Sequence, residues 1–426
     1  MPYLACIPGR RFRQGIAACA ASLAVLPVLH AAPLSFDAAV ALATRDAPVL
    51  QASQNRLEAA RQAIGPAGEL PDPKLAVGVE NFPVGGPDRY TLTRDFMTMQ
   101  RIAVMQEVPN RDKREARTAV AQARAQRAAT ERRIAALNVR RETALAWLRR
   151  YTLERQLALF DALFAENRLL AATLQAQLAG GRAAPVETLM PRQEAAMLAE
   201  RRDELVAQRE QAVAVLRRWV GEAGGEPLAG EPPPWQLHRE DLAHRLHDHP
   251  ELAALDSSGQ VMDAEVREAL AMKQSDWGVE LAYQRRGRQF GDMVSVQFTF
   301  DLPLFAGQRQ NPQIAAKQAE RLALEADREA ARREHTQMLG ADWAELERLD
   351  RAIARNQDTL QPLARDRIAL SLAAYRGGKG TLAEHVAARR ESLEAQLKFI
   401  ALQGERWATA ARLHFANDDE SRGAVK

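Results

Sequence analysis

Met293-Val294-Ser295-Val296-Gln297-Phe298-Thr299-Phe300-Asp301-Leu302 alternates without a break. In an extended chain Val294, Val296, Phe298, Phe300 and Leu302 point one way, and Ser295, Gln297, Thr299 and Asp301 point the other. Upstream, Trp277, Val279, Leu281 and Tyr283 alternate with Gly278, Glu280, Ala282 and Gln284. Leu75, Val77 and Val79 alternate with Lys74, Ala76, Gly78 and Glu80. Ile102, Val104 and Val108 alternate with Arg101, Ala103 and Glu107, less cleanly because of Met105 and Gln106. Strands with one apolar and one polar face suit a membrane barrel with a wet interior, and they suit a half-buried soluble sheet equally well.

The rest of the chain reads as helix. A first helix is expected over 36–64 and its counterpart over 239–272. Very long helices follow over 112–178 and 312–375, each reversed by a Gly-Gly turn into a return helix, 185–220 and 381–415. Leu145, Leu148, Leu153, Leu157, Phe160, Phe164 and Leu174 recur at mostly three- and four-residue steps, the mark of a helix with one apolar stripe. A helix of about 65 residues is about 100 Å long, wider than any globular core. It belongs in a coiled coil or an elongated wall.

The order of parts occurs twice. Asp46-Ala47-Pro48-Val49-Leu50 is echoed by Asp248-His249-Pro250-Glu251-Leu252, Gln106-Glu107-Val108-Pro109 by Phe300-Asp301-Leu302-Pro303, and Gly180-Gly181-Arg182 by Gly377-Gly378-Lys379. The offsets are about 202, 194 and 197 residues, so order and spacing agree. The organisation read from this is a signal segment 1–31, a first repeat 32–223, a Gly/Pro-rich linker 224–236, a second repeat 237–418 and a tail 419–426.

Composition narrows the class. Lys plus Arg is 58 and Asp plus Glu is 55 in 426 residues, too even a balance for a strongly basic nucleic-acid binder. Arg10, Arg11 and Arg13 precede an apolar run from Ile16 to Leu29, the pattern of a secretory signal and too short for a comfortable span. Cys6 and Cys19 both lie in that segment, so the mature chain has no disulfide, Cys-based zinc site or Cys nucleophile. Ile16-Ala17-Ala18-Cys19 also resembles a lipobox; the ordinary signal is the preferred reading. No other stretch reaches 18 consecutive apolar residues. An exported chain with no helical span, and with no third β region to cover a sheet, favours the barrel. Four strands cannot close one around a wide lumen, whereas three chains supply twelve.

The chain therefore resembles the TolC-like outer membrane factor family. The resemblance spans the mature chain. It rests on the repeated order of parts, the entry helix from Leu34 to Pro48, Pro71-Asp72-Pro73 before the first strand, and Gln106-Glu107-Val108-Pro109 and Phe300-Asp301-Leu302-Pro303-Leu304-Phe305 before the long helices. Tyr375-Arg376-Gly377-Gly378 at the second tip adds to it. It implies a mainly α fold with a small β part. Three copies form a twelve-stranded outer-membrane β-barrel that continues into a periplasmic α-helical tunnel. It implies a homotrimer in outer-membrane lipid that works with a periplasmic adaptor protein and an inner-membrane RND-type pump, conducts its cargo passively, and needs neither cofactor nor nucleic acid. The segment Pro71 to Glu107, with Asn81-Phe82-Pro83 and Arg94-Asp95-Phe96-Met97, looks most like members that accompany heavy-metal pumps; drugs or other small molecules are the alternative cargo.

The resemblance also nominates residues. Glu384 lies six residues after Gly378, the spacing of the family's ring carboxylate, and Glu187 lies six after Gly181. Threefold symmetry would gather each into an acidic ring that attracts cations. The plainer alternative is a helix-start carboxylate. Asp366 is a third gate candidate, pairing with Arg365 or Arg367. Gly180, Gly181, Arg182, Gly377, Gly378 and Lys379 form the expected adaptor-docking tips. His238, His244, His247 and His249 cluster in sequence, with His244 and His247 at i, i+3 spacing; surface positions are preferred over a metal site. Met97, Met99 and Met105 read as packing residues before copper ligands. The stretch from Asn81 to Arg94 reads as an extracellular loop. A periplasmic adaptor and a structural coiled coil are the rival readings. An adaptor would carry one hairpin, whereas this chain has two. No phosphate loop, zincin motif or nucleophile elbow supports an enzyme.

Overall fold

The computed structural model describes residues 33–181, 183–244 and 249–416. The signal segment with Cys6 and Cys19, Arg182, His247 and the 419–426 tail lie outside the described residues.

β1 (Leu34–Ser35) pairs in parallel with β4 (Leu228–Ala229). Helix α1 (Phe36–Asp46) starts where Ser35 Oγ accepts the Ala38 N–H at 3.2 Å. The single helix expected over 36–64 is two. Pro48 bars its predecessor from the helical region, so Ala47 is extended at φ −62°, ψ 123°, and α2 (Pro48–Gln62) restarts with proline in its first turn. The short α3 (Ile64–Ala67) leads to β2 (Lys74–Glu80) and β3 (Met99–Val108).

Helix α4 (Arg111–Ala179) follows, 69 residues without a break, about 100 Å at the usual rise per residue. Asn110 caps it, its Oδ1 accepting the Asp112 N–H at 2.8 Å. A 3-10 turn (Pro185–Leu189) and α5 (Met190–Val220) return the chain. The second half again places helices before a strand pair and long helices after it. It comprises α6 (Arg239–His244), α7 (Pro250–Ala271), β5 (Trp277–Arg285), β6 (Met293–Phe300), α8 (Gln310–Arg355), α9 (Gln361–Arg376) and α10 (Leu382–His414). The helix expected to run unbroken over 312–375 is interrupted by one π turn, Asn356–Leu360. Pro362 has no N–H to give the carbonyl four residues back, and its ring crowds that carbonyl; the wider turn accommodates it. Asn356, 1% exposed, holds the turn: its Oδ1 accepts Gln361 Nε2 at 3.1 Å and its Nδ2 donates to the Ala395 carbonyl at 3.4 Å.

The core is strung along the helices. Near the entry, Trp147 is fully buried; its Nε1 donates to the Leu34 carbonyl at 3.1 Å, Phe36 meets it edge-on at 5.5 Å and Tyr151 stacks at 5.1 Å. Farther along, Leu153, Phe160, Leu198, Leu205, Leu393 and Leu397 knit the hairpins together. At the tips Leu174, Leu382 and Val386 pack with Met190 and Tyr375. Glu265 on α7 joins three helices, receiving Arg124 of α4 at 2.7 Å and Lys317 of α8 at 3.0 Å. Among the described residues, no helix is long and apolar enough to cross a membrane.

The four longer strands form one antiparallel sheet in the order β2-β3-β5-β6. β3 and β5 join its two hairpins, with Val104 opposite Leu281 and Ile102 opposite Tyr283. Among the described residues, no strand pairs with the outer edges of β2 and β6.

Candidate functional site

The sheet register sorts the side chains into two faces. Leu75, Val104, Leu281 and Val296 form one row across all four strands, and Val77, Ile102, Tyr283 and Val294 form the next. Val279 opposite Phe298, and Trp277 opposite Phe300, extend that face. It is exposed, with Val77 at 73% and Val294 at 67%, so about a dozen apolar side chains face outward with none of the described residues upon them.

The other face is polar. Arg101 sits at its centre, its Nε 3.3 Å from Glu80 Oε1 and its Nη2 bonded to Glu280. Lys74 pairs with Glu107 at 2.5 Å, and Gln284 Nε2 donates to Ser295 Oγ at 3.0 Å. Ala103 and Ala282, ladder partners on this face, are buried, since residues two places away along the strands carry long side chains. An apolar face, a charged face and two free edges do not suit an isolated soluble sheet, which would bury the apolar side and protect its edges.

The helical hairpins end in two similar tips. At the first, Gly180 caps α4 and Gly181 takes φ +65°, its N–H reaching the Leu178 carbonyl at 3.0 Å. At the second, Gly378 takes φ +68°; its N–H bonds Tyr375 O at 3.1 Å, and the Lys379 N–H bonds Ala374 O at 2.9 Å. This is a Schellman stop, which needs a left-handed residue that glycine supplies without a Cβ penalty. Lys379 is exposed at the turn.

Both ring candidates sit just beyond these turns in matching local roles. Glu187 Oε2 accepts the Ala184 N–H at 2.9 Å, and Glu384 Oε2 accepts the Thr381 N–H at 2.9 Å. Thr381 Oγ1 accepts the Glu384 N–H at 3.2 Å in return, a full capping box; Ala184 has no hydroxyl with which to do so. Each carboxylate thus serves a helix start in the single chain. Asp366 lies exposed on α9, and the neighbouring Arg367 pairs with Glu391. The structure therefore groups Glu187, Glu384 and the glycines near the tips, but does not pair Asp366 with Arg367.

Of the histidines clustered in sequence, His238 and His244 are exposed, as the preferred surface reading has it, and His247 lies outside the described residues. His249 instead meets His335, a residue 86 positions away, with ring centroids 3.8 Å apart, and Glu251 joins them. Neither Glu251 nor His335 stood out in the sequence, and no local spacing pointed to them.

No family model matches the chain, and no curated protein does. Solved structures match its fold along nearly the whole length. A membrane protein from Pseudomonas aeruginosa superposes with a TM-score of 0.78 at 17% identity, covering 92% of this chain and 92% of that one. The outer membrane protein VceC from Vibrio cholerae does so with 0.73 at 17% identity, covering 89% and 95%. The CmeC outer membrane channel of Campylobacter jejuni gives 0.73 at 12% identity, covering 91% and 88%. The chain has the fold of these bacterial membrane proteins.

Proposed function

We propose that the protein is the outer-membrane channel of a tripartite efflux system, of the TolC-like kind. The observation that carries this reading is the open sheet: apolar on one face, charged on the other, and unpaired at both edges. Three copies contribute twelve strands and satisfy every edge, with the apolar face in lipid and the face around Arg101, Glu80 and Glu280 toward water. β3 runs directly into α4, about 100 Å long, and β6 leads through a short connection into α8 and α9, with the Gly-Gly tips at the far ends. The trimer is thus a barrel in the outer membrane with a helical tunnel in the periplasm. Exposed Leu169, Leu322, Leu363 and Leu370 on the helices are then covered by neighbouring copies. The fold shared with outer membrane channels supports the reading.

Within it, the chain is two copies of one helix-strand-strand-hairpin unit. Gly180, Gly181, Arg182, Gly377, Gly378 and Lys379 meet a periplasmic adaptor, which couples the tunnel to an inner-membrane RND-type pump. Glu187, Glu384 and Asp366 line the closable end. Cargo moves passively, as heavy-metal cations or as drugs and other small molecules, and no catalytic group is needed.

The test is physical. Detergent-extracted protein is expected to run as a trimer and to conduct ions in a planar bilayer. A monomer that stays in solution without detergent overturns the proposal and favours a periplasmic adaptor or coiled-coil rod.

A further inference from the structure

His249, Glu251 and His335 share a cleft of about 400 Å³ between the start of α7 and the middle of α8. His335 Nε2 stands 2.9 Å from Glu251 Oε2. His249 caps α7, its Nδ1 accepting the Glu251 N–H at 3.3 Å, a long and easily exchanged bond. One ligand atom from each of the three residues lies within 4.8 Å of the others. A tetrahedral cation with ligand bonds of about 2.0–2.2 Å needs such atoms to be about 3.3–3.6 Å apart, so small rotations of exposed-edge side chains complete the set.

The surrounding charges favour the same use. Two imidazole rings at 3.8 Å cannot both carry a proton comfortably. Burial, followed by His335 and Arg141, pushes His249 down to about 4, against the opposing pull of Glu251, so its ring offers a lone pair at neutral pH. The cleft also holds Arg141 and Arg412, which would repel a cation. Arg141 is 3.3 Å from Glu142, however, and Arg412 is 2.8 Å from Asp342. Glu251 is thereby left as the carboxylate directed at the imidazoles. Two imidazoles and one carboxylate are a ligand set that zinc accepts with a fourth position open to water. Nitrogen ligands exclude calcium and magnesium as preferred occupants.

We propose that His249, Glu251 and His335 form a binding site for one divalent transition cation of the zinc class per chain. The bound ion ties the first turn of α7 to α8. The site lies in the helical part of the chain and does not depend on the channel reading: a chain that formed no barrel would still bind the metal.

The experiment uses tag-free full-length protein in detergent, stripped with a chelator and titrated with zinc chloride against a chromophoric competitor. Bound zinc is counted by elemental analysis. One tight equivalent per chain is expected. His335→Gln and His249→Gln should each weaken it at least about 100-fold, beyond the loss expected from removing an outer hydrogen-bond partner. His238→Gln, outside the cleft, should leave it unchanged. Zinc should also raise the thermal midpoint of the wild type and not that of His335→Gln, while the two metal-free midpoints agree. Wild-type protein that retains no more zinc than the His249→Gln/His335→Gln double variant overturns the site. So does a His335→Gln variant that binds zinc like the wild type.

Discussion

Lys113 Nζ stands 2.6 Å from Asp276 Oδ2, and the other oxygen of that carboxylate accepts the Asn110 backbone N–H at 2.8 Å. The contact joins the first turn of α4 to the residue before β5, so it ties the two halves of the chain where sheet passes into helix. Lys113 is only 7% exposed. Asp276 keeps 26% of its side chain exposed and the Asn110 N–H, so removing the lysine leaves a partly solvated charge, at a cost of about 2 kcal/mol. Lys113→Ala should therefore lower the thermal midpoint of the detergent-solubilised protein below that of Arg111→Ala, which loses only a solvent-exposed i, i+4 pair with Glu115. Equal midpoints would show that the joint is held by backbone alone.

Gly404 makes a tighter junction, between α10 and α4. A Cβ placed there would meet Thr152 Oγ1 and lie 2.6 Å from its Cγ2. Thr152 is buried and its hydroxyl donates to the Leu148 carbonyl at 2.8 Å, so it has little room to turn away. Alanine gains about 1 kcal/mol in helix propensity over glycine, but overpacking costs about 1–3 kcal/mol. Gly404→Ala is expected to destabilise on balance. Gly404→Ala/Thr152→Ala should recover most of the loss, because it removes the two closest atoms. A single variant as stable as the wild type would mean the helices part freely there.

Much of this arrangement was legible in the chain, for a local reason. Strand alternation reports which sheet face is apolar, the three- and four-residue steps around Leu153 and Phe160 report which helix face is buried, and both depend on neighbours in sequence. The end of α4 followed from Gly180-Gly181, whereas the Asn110 cap at its start was not read. Two features were misjudged, although their causes were present. Pro48 splits the entry helix, and Pro362 forces the π turn, because a missing N–H and a crowded carbonyl act even inside a strong helical pattern. The Thr381-to-Glu384 box is a readable cap signature. The meeting of His249 with His335 is different. It depends on how α7 lies along α8, which no spacing within either helix encodes.

The same histidine makes the fold sensitive to acid. His249 is held at about 4, through burial first and then His335 and Arg141, with Glu251 opposing. Its ordinary value is about 6.5. Above that pH both the folded and unfolded chains carry a neutral ring, and stability is unaffected. As pH falls from about 6.5 toward 4, the unfolded chain takes up a proton that the folded chain refuses, so stability declines through that window and levels off below it. Glu142, Asp342 and Arg412 also face the cleft and are common to both proteins in the comparison. With chelator present, His249→Asn, which can still cap α7, should show a shallower fall in thermal midpoint between pH 6.5 and 4.5 than the wild type. Parallel slopes would mean that the ring titrates freely.

Glu265 gives the opposite partner logic and a lower window. Burial alone would raise its pKa, but hydrogen bonds from Arg124 and Lys317 outweigh burial and hold it below the usual carboxylate value. Its stabilisation is therefore fully present above the unfolded value and is lost as pH falls through the folded one. Glu265→Gln should lower the midpoint at neutral pH, and the gap from the wild type should shrink in acid. A constant gap would assign the effect to packing.

Glu384 allows the ring charge and the helix cap to be separated. A glutamine amide oxygen can accept the Thr381 N–H as the carboxylate does, so Glu384→Gln keeps the box and loses the charge. Thr381→Ala does the reverse: it removes the hydroxyl that accepts the Glu384 N–H, at a cost of about 1 kcal/mol, and keeps the carboxylate. If threefold symmetry gathers Glu384 at the closable end, Glu384→Gln removes three charges from one ring. Cation preference in planar bilayers should then fall while the stability stays within about 0.5 kcal/mol of the wild type. Thr381→Ala should lower the midpoint and leave the selectivity alone. Glu187→Gln, on the shorter 3-10 turn with no returning hydroxyl, tests whether the first hairpin contributes a second ring. A Glu384→Gln channel with wild-type selectivity would restrict this carboxylate to its local work at the start of α10.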